Sequence, residues 1–145
     1  MSGSSNTGVH VRIAVYEGQP VDFQKFRHVA LWFGFDNGAD KVVIHITGPN
    51  QEYKLEVREN YNPAESNLFQ KWVEVGRIKS NLTKSQLVAY VSRTHIDNDS
   101  QGFNCQVWVG DALKLLSQGG YIEHAEYMNA VDNMISATME AKDEP

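Results

Sequence analysis

Gly102-Phe103-Asn104-Cys105-Gln106-Val107-Trp108 holds the chain's single cysteine at the point where a long helix-like segment begins. Upstream of it, Asp97 to Gly102 is turn chemistry. Downstream, Val107, Trp108, Ala112, Leu113, Leu115 and Leu116 supply a broad apolar face that runs to Gly119-Gly120. A helix therefore begins close to Cys105. A thiol in a first helical turn meets unpaired backbone N–H groups and the positive end of the macrodipole, and both favour thiolate. Free cysteine is also among the most buried residue types and often serves as a small apolar side chain. Position alone thus makes Cys105 a candidate nucleophile, with a packing role as the alternative.

Upstream, the chain reads as strands. Val9 to Tyr16 alternates and is rich in β-branched residues. Phe26 to Phe35 is too continuously apolar for a half-exposed edge and reads as a central strand covered on both faces. Asp36-Asn37-Gly38 turns into a returning strand from Lys41 to Thr47, and Tyr53, Leu55 and Val57 share one phase of the next, so the front half is an antiparallel meander. Asn62 to Phe69 is expected to hold a short helix. Trp72 to Ile78 reads as one more strand, weakened by Gly76.

Helices follow. Thr83 and Gln86 form a capping box ahead of a helix that ends near Thr94. After the Cys105 helix, Glu123 to Ala141 is a third, with Ala125, Met128, Val131, Met134 or Ile135, and Thr138 or Met139 on one face. Strands first and helices afterwards is the order of an α+β domain: an antiparallel sheet of about four to five strands with helices on one face. Residues 9–141 form the expected single domain, between flexible ends at 1–8 and 142–145.

Composition narrows the function. At 145 residues and 41% hydrophobic, the chain has material for one real core. A single cysteine permits no internal disulfide. The polar Met1 to Gly8 lacks a secretory signal's apolar core, and no later run reaches transmembrane length, so a cytoplasmic protein without an integral membrane segment is expected. In that setting the Asn81-Leu82-Thr83 sequon is simply the approach to a helix. A formal charge of −5 gives no basic excess for phosphates and argues against nucleic acid. Lys71, Arg77, Lys79 and Lys84 read as a solvated face.

A cysteine nucleophile needs a base within reach, commonly a histidine oriented by a third polar group. His28 opens the apolar strand and His45 lies near the end of the next. Each also has a bland reading, His28 as a core histidine and His45 as a solvent-facing one. His95, in the loop before Cys105, is the rival base. His10, on the polar phase of its strand, and His124, opening the last helix, read as surface residues. Trp108, one turn after Cys105, reads as core or substrate platform; Trp32 and Trp72 read as core. Three ligands from His28, His45 and Cys105 would suit zinc, although the paired spacing of zinc motifs is missing.

His28-Val29-Ala30-Leu31-Trp32, then Val43-Ile44-His45-Ile46, then Asn104-Cys105 before an aromatic and a long helix, resembles the circularly permuted branch of the papain-like NlpC superfamily. That branch includes the lecithin:retinol acyltransferase-like enzymes and the desumoylating isopeptidases. The chain is also similar to small fungal proteins with the same Asn-Cys-Gln-x-Trp run. The resemblance covers about Phe26 to Gly119 and implies a papain-like fold. It also implies Cys105 as nucleophile, His28 as general base, His45 as the orienting residue, and an oxyanion held by the Cys105 N–H and a neighbour. Asn104 and Trp108 are the substrate-binding candidates. Gln106 and Val107 stand where the acyltransferases typically carry an acidic residue and a histidine. The hairpin loop from Phe35 to Lys41 is longer, and no hydrophobic anchor follows the helix, which argues against a lipid substrate.

The expected activity is thus hydrolysis or acyl transfer on an amide, ester or thioester, without a cofactor, on a small-molecule or peptide acyl substrate. Such a thiol needs a pKa lowered from about 8.5 to 7 or below. A helix end supplies only about 0.3–1 kcal/mol of the roughly 1.4 kcal/mol that each unit requires, so a histidine must supply the rest. The competing expectation is a non-catalytic domain that binds a ligand or a protein and keeps an inert thiol.

Overall fold

The computed structural model describes residues 8–142. Met1–Thr7 and the last three positions, expected to be flexible, lie outside the described residues. Five strands, β1 (Val9–Tyr16), β2 (His28–Phe35), β3 (Val42–Thr47), β4 (Lys54–Glu59) and β5 (Phe69–Ile78), precede three helices, α1 (Lys84–Val91), α2 (Cys105–Gln118) and α3 (His124–Met139). The α+β reading holds. The strands lie in the order β4-β3-β2-β1-β5, and every neighbouring pair is antiparallel. The first four form the expected meander, and β5 returns to the far side to pair with β1.

Alternation decides which face is which. Val9, Val11, Ile13 and Val15 of β1, Val29, Leu31 and Phe33 of β2, and Val42, Ile44 and Ile46 of β3 form one apolar surface. Beneath it pack Leu87 and Val91 of α1, Trp108, Ala112, Leu113 and Leu116 of α2, and Ala130, Met134 and Ala137 of α3. Among the described residues the opposite face carries no α-helix. Its centre is Ala14, Ala30 and Val43, flanked by Trp32, Tyr61, Phe69 and Trp72. There the Arg12 guanidinium lies 4.4 Å from the Trp32 ring and 4.0 Å from that of Trp72, a cation–π sandwich. β2 is therefore covered on its second face by aromatic side chains and not by a second layer, and Trp32 and Trp72 belong to this face and not to the main core.

Local chemistry accounts for the boundaries. The capping box at Thr83 is formed, its hydroxyl accepting from Gln86 N and its N–H donating to the Gln86 amide. β2 starts at His28, two residues later than the apolar run suggests, because Gln24–Phe26 close a 3-10 turn. Between Asn62 and Phe69 only a single 3-10 turn forms, Pro63–Glu65, after which the chain enters β5 at Phe69. Gly76 does not end β5. It takes a φ of +152°, and a bulge opposite Val11 and Arg12 absorbs the irregularity. On α3 the buried stripe is Ala130, Met134, Ala137 and Thr138, while Met128, Ile135 and Met139 are exposed. Of the expected stripe, Met134 and Thr138 are buried and Val131 packs against the core, whereas Met128 is not part of it. The two alanines let the helix approach the sheet closely.

Candidate functional site

The site forms where two strands stop pairing. β1 and β2 pair along eight residues, Val9↔Phe35 to Tyr16↔His28, but β2 and β3 pair only at Leu31↔Ile44, Trp32↔Val43 and Phe33↔Val42. Past Leu31 the edge of β2 that would face β3 is free, and the first turn of α2 fills the gap. The Cys105 thiol lies 3.8 Å from Arg27 O, and the Val29 N–H points at the sulfur. Gln106 donates from Nε2 to the carbonyls of Gln24 and Arg27, each at 3.1 Å.

Each part is fixed by its own element. Asn104 is the N-cap of α2, its Oδ1 accepting from Val107 N at 3.0 Å. Trp108 N donates to Asn104 O. The N–H groups of Cys105 and Gln106 are thus left facing the sulfur. Arg27, just before His28, forks onto Asp22 at 3.0 and 2.8 Å and donates to Ala137 O at 2.9 Å, pinning the start of β2 to α3. This pairing holds the Asp22 carboxyl below its ordinary range. The β3–β4 turn is latched to the loop ahead of Cys105. Asn50 Nδ2 donates to Gln101 O and Phe103 O, and Asn98 exchanges hydrogen bonds with the Tyr53 backbone.

His28 follows the phase of Ala30 and Trp32, and His45 that of Val43, so both leave the sheet on the face away from the helices. Their rings meet, His28 Nε2 lying 2.7 Å from His45 Nδ1. His45 Nε2 lies 2.6 Å from Glu56 Oε1, a contact that follows from the register His45↔Glu56. Burial, the neighbouring His45 and, in opposition, Glu56 set the His28 pKa, which is pushed down to about 4. Burial also pushes His45 down, against the pull of Glu56. The Cys105 thiol is pushed up by burial, although the N–H groups of Val29, Gln106 and Cys105 work against this. At neutral pH the thiol and both imidazoles that line the cleft therefore rest neutral. The resting thiol's hydrogen bond goes to Arg27 O, and the imidazolium that a standing thiolate would require is not formed.

One open cleft of about 970 Å³ is lined by Cys105, Asn104, His28, His45, Asn50 and Tyr53, among others. The two histidines also wall a smaller pocket of about 290 Å³, shared with Tyr16, Arg58 and Tyr61. Trp108 reaches neither. It is fully buried in the core, its Nε1 donating to Thr94 O at 3.4 Å, so it presents no surface to a substrate. His95 is exposed and its charge acts on Asp111 of α2, away from the cleft. His10 contacts Glu74, and His124 packs on Tyr127. Glu56 is the site residue that the sequence reading lacks. Counting back from the turn at Gly48 to Tyr53, across Thr47↔Lys54, would have found it.

A metal does not suit these residues. Two ring nitrogens 2.7 Å apart share a proton and are tied to each other. Among the described residues no group of three His, Cys, Asp or Glu side chains is placed to hold an ion. Nor, among them, is any helix long and apolar enough to cross a membrane.

Residues 14–123 match the model of a protein family of unknown function, DUF6540. The chain belongs to DUF6540. The matched segment holds His28, His45, Glu56 and Cys105, so the whole constellation lies within the span of the DUF6540 match, whereas α3 lies outside it. No protein of curated function and no solved structure matches the chain.

Proposed function

We propose that this protein is a cysteine-dependent hydrolase or acyltransferase of papain-like, permuted NlpC-like architecture. The observation that supports it is the convergence of Cys105, at the N-terminus of α2, and the hydrogen-bonded His28–His45 pair on one open cleft. The thiol leaves Arg27 O, gives its proton to His28, and the sulfur attacks the carbonyl carbon of an amide, ester or thioester. An Sγ–C bond forms, the bond to the leaving group breaks, and His28 returns the proton to the departing nitrogen, oxygen or sulfur. Water or an amine then attacks the thioester, and its proton returns by way of His28 to Sγ. The developing oxyanion would lie at the Cys105 and Gln106 N–H groups, which α2 leaves unused. The trough is open, and His28 and His45 are neutral, which suits a peptide-like or small acyl substrate in the cytoplasm, with Asn104 on its wall.

His28 near 4 is a base that is always unprotonated at neutral pH, so the proton transfer occurs during attack and not beforehand. One observation favours the second reading, a ligand- or protein-binding domain of the same fold: the thiol pKa is raised and not lowered. Iodoacetamide labelling of Cys105 against pH separates them. Wild type should label at neutral pH with His28 taking the thiol proton during attack, and His28→Ala should slow that labelling by about 10²-fold or more. Labelling that tracks an ordinary or raised thiol pKa, indifferent to His28→Ala and His45→Ala, would sink the enzyme reading.

A further inference from the structure

We propose that Glu56 is a positioning residue that fixes the protons along His45 and His28 so that the bare nitrogen of His28 is Nδ1. The inference rests on the thiol-enzyme reading above and specifies which atom of His28 acts. Two distances carry it: His45 Nε2 to Glu56 Oε1 at 2.6 Å, and His28 Nε2 to His45 Nδ1 at 2.7 Å.

A carboxylate has no proton to give, so His45 Nε2 must carry the hydrogen of the first bond. In a neutral imidazole the other nitrogen is then bare, so His45 Nδ1 accepts and His28 Nε2 must donate. The second ring is neutral too, which leaves its Nδ1 as a lone pair. One carboxylate therefore sets the tautomer of two successive rings. The reverse order would turn a bare His45 Nε2 towards the carboxylate, acceptor against acceptor. The other arrangement, a doubly protonated His45 donating to His28, would place the proton on His28 Nδ1 and abolish the base. Burial of the pair opposes that charge, and so does Arg58, two residues along β4 from Glu56. Tyr16 and Tyr61 complete the walls around the pair on this face.

Glu56 reaches His45 from the exposed side of β4, with 46% of its side chain accessible, so its replacement removes a hydrogen bond without opening the core. The test uses the intact chain with 15N-labelled histidine. Long-range 1H–15N correlations at pH 7.5 identify each ring's tautomer, His28→Ala and His45→Ala assign the signals, and iodoacetamide labelling of the single cysteine is timed in parallel. Wild type should show His28 and His45 both as Nε2–H. Glu56→Gln, whose amide can either accept or donate, should mix the tautomers and slow labelling by about 10–100-fold. Glu56→Asp should partly restore both. His28 carrying its proton on Nδ1 in wild type, or Glu56→Gln leaving both tautomers unchanged, would overturn the proposal. If the tautomers shift as expected while every variant labels like a free thiol, the role of Glu56 in setting the protons stands and the thiol-enzyme reading falls.

Discussion

The two sides of β2 differ in how far they are paired, and the site follows from that difference. Towards β1, pairing runs the length of the strand, and every second pair, such as Ile13↔Leu31 and Val15↔Val29, sets fully buried aliphatics against the helices. Towards β3 it lasts three residues and then stops, leaving Arg27 O and the Val29 N–H to the first turn of α2. The paired side lends rigidity, and the unpaired side opens a cleft that Cys105, at the start of α2, lines together with His28 and His45 of the sheet.

Deep in the paired region the largest effect is expected. Leu31→Ala removes a fully buried side chain that lies between Ile13 and Ile44 in register, and should cost about 2–5 kcal/mol in urea unfolding. A loss below about 1 kcal/mol would mean that the paired side is not the rigid one. Acidification probes the unpaired side. The folded His28 pKa lies below its unfolded value, so between 6.5 and about 4 the unfolded chain takes up a proton that the folded chain refuses. Its stability contribution is complete above pH 6.5 and is lost as pH falls. Over the whole interval His28 alone accounts for roughly 3 kcal/mol, with His45 acting in the same direction. Urea midpoints at pH 7 and pH 5 should therefore converge in His28→Gln. An undiminished pH slope in that variant would place the titrating group elsewhere. The smallest effect is at the junction: Asn104→Ala loses the cap of α2 and should cost about 1 kcal/mol. Because that cap sets which amides face the sulfur, its labelling rate should change more than its stability does.

Much of the paired region is written in local sequence. V-H-V-R-I-A-V-Y is β1 to the residue, Thr83 and Gln86 do form their box, and Asn104-Cys105 does start α2. These features depend on neighbours a few positions away. What was not legible depends on distance in space. Nothing local tells β5 to pair with β1, since either edge of the meander offers the same backbone. Trp32 and Trp72 look like core residues until the sheet is seen to have an uncovered face, where Arg12 makes them a sandwich. Trp108 reads as core or substrate platform from its closeness to Cys105, and the core reading is the one that holds, with the indole fully buried. The histidine pair was found as two residues, yet its joining and its third member, Glu56, needed the β3–β4 register.

The latch between the β3–β4 turn and the loop ahead of Cys105 has a mechanical consequence. β3 and β4 pair with each other along six residues, yet only three residues hold this hairpin to β2. Its tip is fastened through Asn50 and Asn98 to the segment that leads into α2. The hairpin is thus held to β2 near one end and to the cysteine's own approach at the other. It carries His45 and Glu56, whereas His28 stands on β2. A ligand that displaced Gly48–Asn50 would be expected to strain the His28–His45 contact and the seat of Cys105 together.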